Sequence, residues 1–394
     1  MMQRNLCLLM LGLLVAAPTG AQTVIEAETV HTMDGEPIHD GVILIEDDEI
    51  RAVGPAGEVT VPEGAETFQA VAATPGLIDA RTSVGLAGIL GIQHDSDEID
   101  RADPIQASLR SLDAYNARED LVAWQRDLGV TTVHTGPAPA ALVSGQSLIA
   151  QTRGNTVDEA RLQDPHAVLF SLGSAVRHTF ETPGTRPKGA EMLRQALVSA
   201  EEADDAGGAD LGQQVLADVV AGEIPAVIHA DTAVDIMTAL RLAGEFDLDL
   251  ILAGAADAHK LIDEIAAAGI PVLLHPTMIR PGGDQANAAF DTAARLAEAD
   301  IPFAITGGYE GYVPRSRVVL FEAAVAAANG LGPEGGLAAI TRQPAEILGL
   351  EDRLGSLQPG HQADVVLFDG EPLEHTTRVC EVFIAGERVS EDCQ

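Results

Sequence analysis

Three histidines stand at the ends of short apolar runs, where α/β proteins commonly place reactive groups. His134 follows Val130-Thr131-Thr132-Val133, His229 follows Ala226-Val227-Ile228 and His275 follows Val272-Leu273-Leu274. Imidazole titrates nearest neutrality of all side chains and is a common nitrogen ligand of zinc. Three such rings and a water would complete a zinc set if all three faced one mouth; separate structural or substrate-binding roles are the alternative. Asp231, two residues past His229, offers either an acid–base carboxylate or a cap for a helix starting near Ala233. Arg81 follows Leu77-Ile78-Asp79 as a permanent cation. It could hold a carboxylate, polarise a carbonyl, or neutralise Asp79. The loop Gly307-Gly308-Tyr309-Glu310-Gly311-Tyr312 carries two of the three tyrosines. Its glycines permit a mobile segment in which Tyr309 and Arg315 contact a ligand, or an ordinary surface turn. The acidic stretch around His94 reads as a solvated loop or a weak cation site.

Those residues need a scaffold, and the hydrophobic pattern supplies one. Eight short apolar runs alternate with long Ala-, Leu- and Glu-rich stretches: 77–79, 130–133, 148–150, 168–170, 226–228, 250–252, 271–274 and 303–305. Repeated βα units of this number and length predict an α/β fold containing a (β/α)8 TIM barrel of parallel strands, with its site at the C-terminal ends of those strands. Residues 22–73 and 351–394 read instead as short strands split by Gly, Pro and Asp turns, predicting a small β-sandwich domain built from both ends around a barrel spanning 74–350. Gly330 to Gly335 formally matches a dinucleotide fingerprint, but it follows an Ala-rich helical stretch and reads as a helix-to-helix turn.

Composition narrows the partners. With 23 Lys+Arg against 60 Asp+Glu the net charge is −37, and only Lys188 and Lys260 are lysines. A chain this acidic lacks the basic footprint that nucleic acid or an anionic membrane requires, so the expected partner is a small molecule, with a homo-oligomer open. Residues 1–21 have a short charged start, an apolar run and small residues before Gln22, the pattern of a secretory signal peptide. That predicts a periplasmic or secreted mature protein. Cys380 and Cys393 flank two strand-like runs joined at Ala385-Gly386, so a hairpin would bring them together as a disulfide; two free thiols are the alternative.

Thr74-Pro75-Gly76-Leu77-Ile78-Asp79 resembles the entry to the first barrel strand of the amidohydrolase superfamily. The run Arg353 to Gly360, continuing into Ala363-Asp364-Val365-Val366-Leu367, resembles the return of that family's chain to its small domain. Pro225-Ala226-Val227-Ile228-His229-Ala230 is similar to the fifth strand of the imidazolonepropionase-like branch. The resemblance implies hydrolysis of non-peptide C–N bonds, in cyclic amides or related small molecules, at a divalent metal such as zinc. Most of the implied metal ligands are substituted, however. The His-x-His positions hold Arg81 and Ser83, the strand-six histidine falls among Ala253-Gly254-Ala255, and the strand-eight aspartate falls among Thr306-Gly307-Gly308. Arginine cannot ligate a cation, because it stays protonated and has no acceptor. Two readings follow: an exported hydrolase with an atypical site, or a non-catalytic relative that binds a small ligand or pairs with an active one.

Overall fold

The computed structural model describes residues 22–391 and 393; the expected signal peptide, residues 1–21, lies outside them. Four strands open the chain: β1 (Gln22–Val30), β2 (Ile38–Glu46), β3 (Glu49–Pro55) and β4 (Glu66–Pro75). Ten more follow: β5 (Leu77–Thr82), β6 (Val130–Thr135), β7 (Val143–Gln146), β8 (Leu148–Gln151), β9 (Arg161–Gln163), β10 (Val168–Ser171), β11 (Ala226–Ala230), β12 (Leu250–Gly254), β13 (Val272–Leu274) and β14 (Phe303–Ile305). The chain ends with β15 (Val365–Phe368), β16 (Val379–Ile384) and β17 (Glu387–Ser390).

The terminal segments form one seven-stranded sheet, β17-β16-β15-β4-β1-β2-β3, in place of the two facing sheets of the expected β-sandwich. The reason is the pairing of β15 with β4, Val365 opposite Pro75 and Phe368 opposite Ala72, which merges both ends into a single ladder. Side chains along β15 alternate as a pleat requires. Val366 and Phe368 enter the main core against the central helices, while Val365 and Leu367 join Ile25, Ile43, Ile45 and Phe383 in a separate small core. The turn between β16 and β17 has Ala385 at φ 49° and Gly386 at φ 73°. Positive φ at both positions is the hairpin turn that matches strand twist.

All eight apolar runs are strands. They divide between two ladders, β14-β13-β12-β11-β10-β7 and β5-β6-β8-β9, so no single hydrogen-bonded cylinder is closed. The ladders meet where β7 continues into β8, and where a parallel bridge links Thr82 to Gly308 beyond β14. From β10 to β14 the pairing is parallel throughout, as expected. The third run departs from expectation: β8 is antiparallel to β6, and β7 is antiparallel to β10. Residues 136–147 lie between β6 and its partner β8, and since 143–146 are β7 only 136–142 remain as a connection. A parallel return needs a crossover of about a dozen residues or more, so this chain can only turn back.

Period-two alternation then fixes which side chains look inward. Val227, Ile251, Leu273 and Ala304 form an inner core between the strands, whereas Ile228, Leu252, Leu274 and Ile305 pack outward on the helices. His229 and His275 lie two residues beyond Val227 and Leu273, on the same inward side and at the C-terminal ends of their strands. Near-continuous burial of both faces explains why these strands read as unbroken apolar runs.

Candidate functional site

At those strand ends a cavity of about 430 Å³ opens. Among the residues lining it are Arg81, Arg101, His178, His229, His275, Gln285, Thr306, Gly308 and Tyr309. A depression of about 550 Å³ elsewhere is lined by Pro271, Ile301, Pro302 and Phe303, at the starts of β13 and β14, the face opposite that of barrel chemistry.

His229 and Asp231 form one pair. The His229 Nε2 lies 3.4 Å from Asp231 Oδ2. Asp231 also accepts the Ala256 N–H at 3.4 Å and the Gln285 side-chain amide at 3.4 Å. Burial works to raise the Asp231 pKa, but the neighbouring His229 and His275 outweigh it and hold the carboxyl below its usual range. The capping role that Asp231 could have filled is taken by others. Thr232 accepts the Asp235 N–H at the start of the helix Ala233–Phe246, and Asp257 accepts the Ala233 N–H at 2.9 Å.

His275 and Glu310 form a second pair. The His275 Nδ1 faces the carbonyl of Thr306 at 3.1 Å, and its Nε2 lies 3.5 Å from Glu310 Oε1. Burial alone would lower this imidazole's pKa; the Glu310 and Glu322 carboxylates reverse that and raise it. Glu310 is itself bonded to Arg317, which also pairs with Glu322 at 3.1 Å. Glu322, fully buried, accepts the Thr277 N–H at 2.6 Å and the Met278 N–H at 2.9 Å. This network ties the loop after β14 to the segment after β13. Glu310 belongs to the loop singled out from the sequence for its tyrosines. Glu322, lone acid in the apolar helix Val319–Ala326, was the other readable signal.

Arg81 sits in the cavity wall, 7% exposed. Its guanidinium donates to the backbone carbonyls of Thr82, at 2.7 Å, and Pro137. No carboxylate of the described residues comes within ion-pair range, so it does not neutralise Asp79 by direct contact. Burial pushes its pKa down to about 10 against the pull of Asp79, leaving it a cation at neutral pH. Asp79 is fully buried; one oxygen accepts the Gly307 N–H at 3.0 Å and the Arg81 N–H at 3.3 Å, and Oδ2 has no partner. Burial raises its pKa to about 7 despite those bonds.

Tyr309 lines the cavity and its hydroxyl reaches Glu98 at 3.4 Å. Arg315 does not line it. Its Nε is buried without a partner against Gly91, and its backbone carbonyl accepts the Glu310 N–H at 2.7 Å, so it braces the loop. Arg101, His178 and Gln285, each carried by an irregular or helical segment with no motif, had no sequence signal.

The expected three-histidine metal set does not assemble. His134 is completely buried in the interior, with Nδ1 on the Ala80 carbonyl and Nε2 on the Ser147 hydroxyl, both at 2.7 Å. With both nitrogens engaged and its ring packed edge-on to His166 at 4.7 Å, it has no lone pair to turn to the mouth. Glycines close the other ligand positions. At Gly254, φ +79°, an added Cβ would stand 2.6 Å from both the His229 ring and Asp231 Oδ1. At Gly308, φ +61°, it would stand 2.6 Å from the His275 ring, and at Gly307 2.5 Å from Asp79 Oδ2. The imidazoles of 229 and 275 thus occupy the space that ligands at strands six and eight would need. No group of three or more His, Cys, Asp or Glu among the described residues could hold a metal ion. The residues present do not fit the metal that the family resemblance implies.

Residues 113–390 match the model of the amidohydrolase family. The chain belongs to the amidohydrolase family. It is 25% identical to an imidazolonepropionase of Rhizorhabdus wittichii, over 87% of this chain and 91% of that protein. It is 24% identical to the amidohydrolase tasK of Hapsidospora irregularis over 89% of this chain, which spans only 40% of that relative. Among solved structures, an amidohydrolase from Thermotoga maritima superposes with a TM-score of 0.88 at 27% identity, covering 94% of this chain and all of that one. These likenesses carry the barrel-containing α/β fold and a hydrolase-like function of the amidohydrolase superfamily. Cys380 and Cys393 are joined as a disulfide beside the last hairpin, far in sequence from this mouth.

Proposed function

We propose that this amidohydrolase is an exported protein acting on a small molecule that carries an anionic group next to an amide-type carbonyl, and that it does so without a resident metal. The observation that carries the reading is Arg81. Among the described residues this buried guanidinium bonds to two backbone carbonyls, lines a cavity and has no carboxylate within ion-pair range, whereas buried charges are ordinarily paired. Arg101 and His178 line the same cavity, in a chain whose net charge is −37. Two guanidiniums, Arg81 and Arg101, at one cavity of so acidic a protein select an anionic ligand by charge and reject cationic ones. The Cys380–Cys393 disulfide supports export, because such bonds persist in oxidising compartments.

The test is calorimetric titration with the mono-4-nitroanilide of succinic acid, which has one carboxylate and one amide, against the neutral 4-nitroacetanilide. A charged hydrogen bond contributes about 1.5–3 kcal/mol, so the anionic probe should bind about 10- to 150-fold tighter, and Arg81→Met should abolish that preference. Equal affinity for both probes, or a preference that survives in Arg81→Met, would refute the reading.

A further inference from the structure

The helix Val319–Ala326 has one charged residue, Glu322, and that residue turns inward to Arg317. Phe321 and Val325, one turn apart, form its outer face. A helix apolar all round belongs in an interior, yet Phe321 is exposed.

Phe321 is not alone. With Trp124, Met278, Phe290 and Tyr312 it lines a depression of about 450 Å³. Val313, next to Tyr312, continues the surface to Leu90 and Ile92, because Gly91 lies so close that an added Cβ would stand 3.1 Å from a Val313 methyl. Among the described residues, seven of the twelve exposed large apolar side chains fall in this patch, and so do all the exposed aromatics, Phe290, Tyr312 and Phe321. Exposed apolar residues scattered singly need no explanation, whereas a concentration of them marks a contact surface.

The extent of the patch points to a macromolecule. Its seven side chains are 40% to 68% exposed. At roughly 150–200 Å² each, they present about 600 Å² of apolar surface. A stable homodimer buries about 800 Å² on each subunit, about 65% of it apolar, so this patch supplies the apolar core of one side. Small-molecule sites instead enclose most of the ligand's surface, and these side chains stay half-open.

Charge selects the occupant. Sixty acidic residues give the chain a net charge of −37, so two copies meeting through an average face would set carboxylate against carboxylate. No carboxylate lines this depression; Arg317 does, and so does Arg280, which lies over the Tyr312 ring at 5.0 Å. A basic partner would find no counter-charge here, while a second copy of this acidic chain can approach without facing carboxylates.

We propose that this patch is the self-complementary face of a two-fold homodimer, with Phe290, Tyr312 and Phe321 as its anchors. The inference stands independently of the ligand reading above. The contact leaves the mouth open, since Gly308 and Tyr309 of the same loop line the mouth and not the depression.

The experiment is sedimentation velocity on the full mature chain from about 1 to 100 μM, with circular dichroism to check that each variant is folded. Expected is a species of twice the chain's mass that gains population across that range. Phe321→Glu places a charge on the outer face of the helix and should weaken the dimer by about 30-fold or more, the loss of one central aromatic anchor. Val313→Glu, on the loop, should weaken it as well, and Leu211→Glu, exposed outside the patch, should not. Raising salt from about 0.05 to 0.5 M should tighten the dimer by about threefold or more, because screening relieves the repulsion between two acidic chains. A chain that stays monomeric throughout overturns the proposal. So does a dimer that Phe321→Glu and Val313→Glu both leave unchanged, or one that weakens as salt rises. A monomer that binds phosphatidylcholine vesicles, and loses that binding in Phe321→Glu, overturns it in favour of a lipid surface.

Discussion

Asp79 offers a quantitative check on the electrostatics of the mouth. Its carboxyl is fully buried, accepts two backbone N–H groups at one oxygen and leaves Oδ2 without a partner. Burial raises its pKa from 3.8 to about 7. At 1.36 kcal/mol per pH unit, that displacement makes the ionised folded form about 4 kcal/mol less favourable than the ionised unfolded form. The sign follows from linkage. Between pH 4 and 7 the native state binds more proton at this position than the unfolded chain, so stability falls as pH rises through that window and levels off above it. Asp79→Asn keeps the acceptor for Gly307 and Arg81. Its new N–H₂ replaces Oδ2, near Gly307, where the Arg317 carbonyl and Ser316 hydroxyl also converge. Urea midpoints of the two proteins should coincide most nearly at pH 4.5 and separate as pH rises, the variant gaining up to about 3 kcal/mol by pH 8 relative to its difference at pH 4.5, since about 1 kcal/mol of the total already appears below that pH. A constant difference across that range would show that Asp79 ionises normally and that the buried pocket is wetter than its packing implies.

Further outcomes follow from the same structure. Arg81→Met should cost about 1–3 kcal/mol of stability, since the Thr82 and Pro137 carbonyls lose buried donors, and denaturant titration reads it directly. Gly254→Ala forces a methyl to 2.6 Å from His229 and Asp231 at a positive φ, so it should lower both stability, by about 1–3 kcal/mol, and probe affinity; unchanged values for both would contradict the packing. His275→Gln should destabilise the protein more at pH 5 than at pH 9. The raised imidazole pKa contributes stability that is full below about 6.5 and disappears as pH climbs through the folded value. Reducing the Cys380–Cys393 bond, which spans 13 residues, should lower stability by up to about 3 kcal/mol, seen as a reductant-dependent fall in Tm.

Much of the scaffold was legible because burial on both faces leaves an unmistakable trace: each of the eight apolar runs is a strand, and the flanking motifs mark where β4 gives way to β5 and where β15 rejoins it. The direction of the third run was also readable, from the short 136–142 connection, but counting runs alone hides it. The position of His134 was not. Every residue of β6 is buried, so its sequence carries no alternation to separate a residue aimed at the mouth from one locked beneath it. The Asp231 carboxylate was visible two residues from His229, while the identity of its neighbours was not, because Gln285 and Ala256 arrive from distant loops. Glu310 and Arg317 likewise meet His275 only through the fold. Arg315 illustrates the reverse case, a cation in a promising loop whose head packs inward on Gly91. Gly307 and Gly308 read as giving a mobile segment, and Gly254 as the place of a missing ligand; all three leave room for the two rings and for Asp79.

The central claim is that this amidohydrolase mouth works through side chains alone, and metal content tests it most directly. The mature protein would be produced in medium supplemented with zinc, manganese and iron, purified without chelator or affinity nickel, and compared with His229→Ala by elemental analysis. The account predicts less than about 0.1 equivalent of any of these metals in both proteins, because Arg81 and the glycine-lined strand ends leave a divalent ion no set of ligands. About one equivalent that disappears in His229→Ala would contradict it and return the site to metal-dependent hydrolysis.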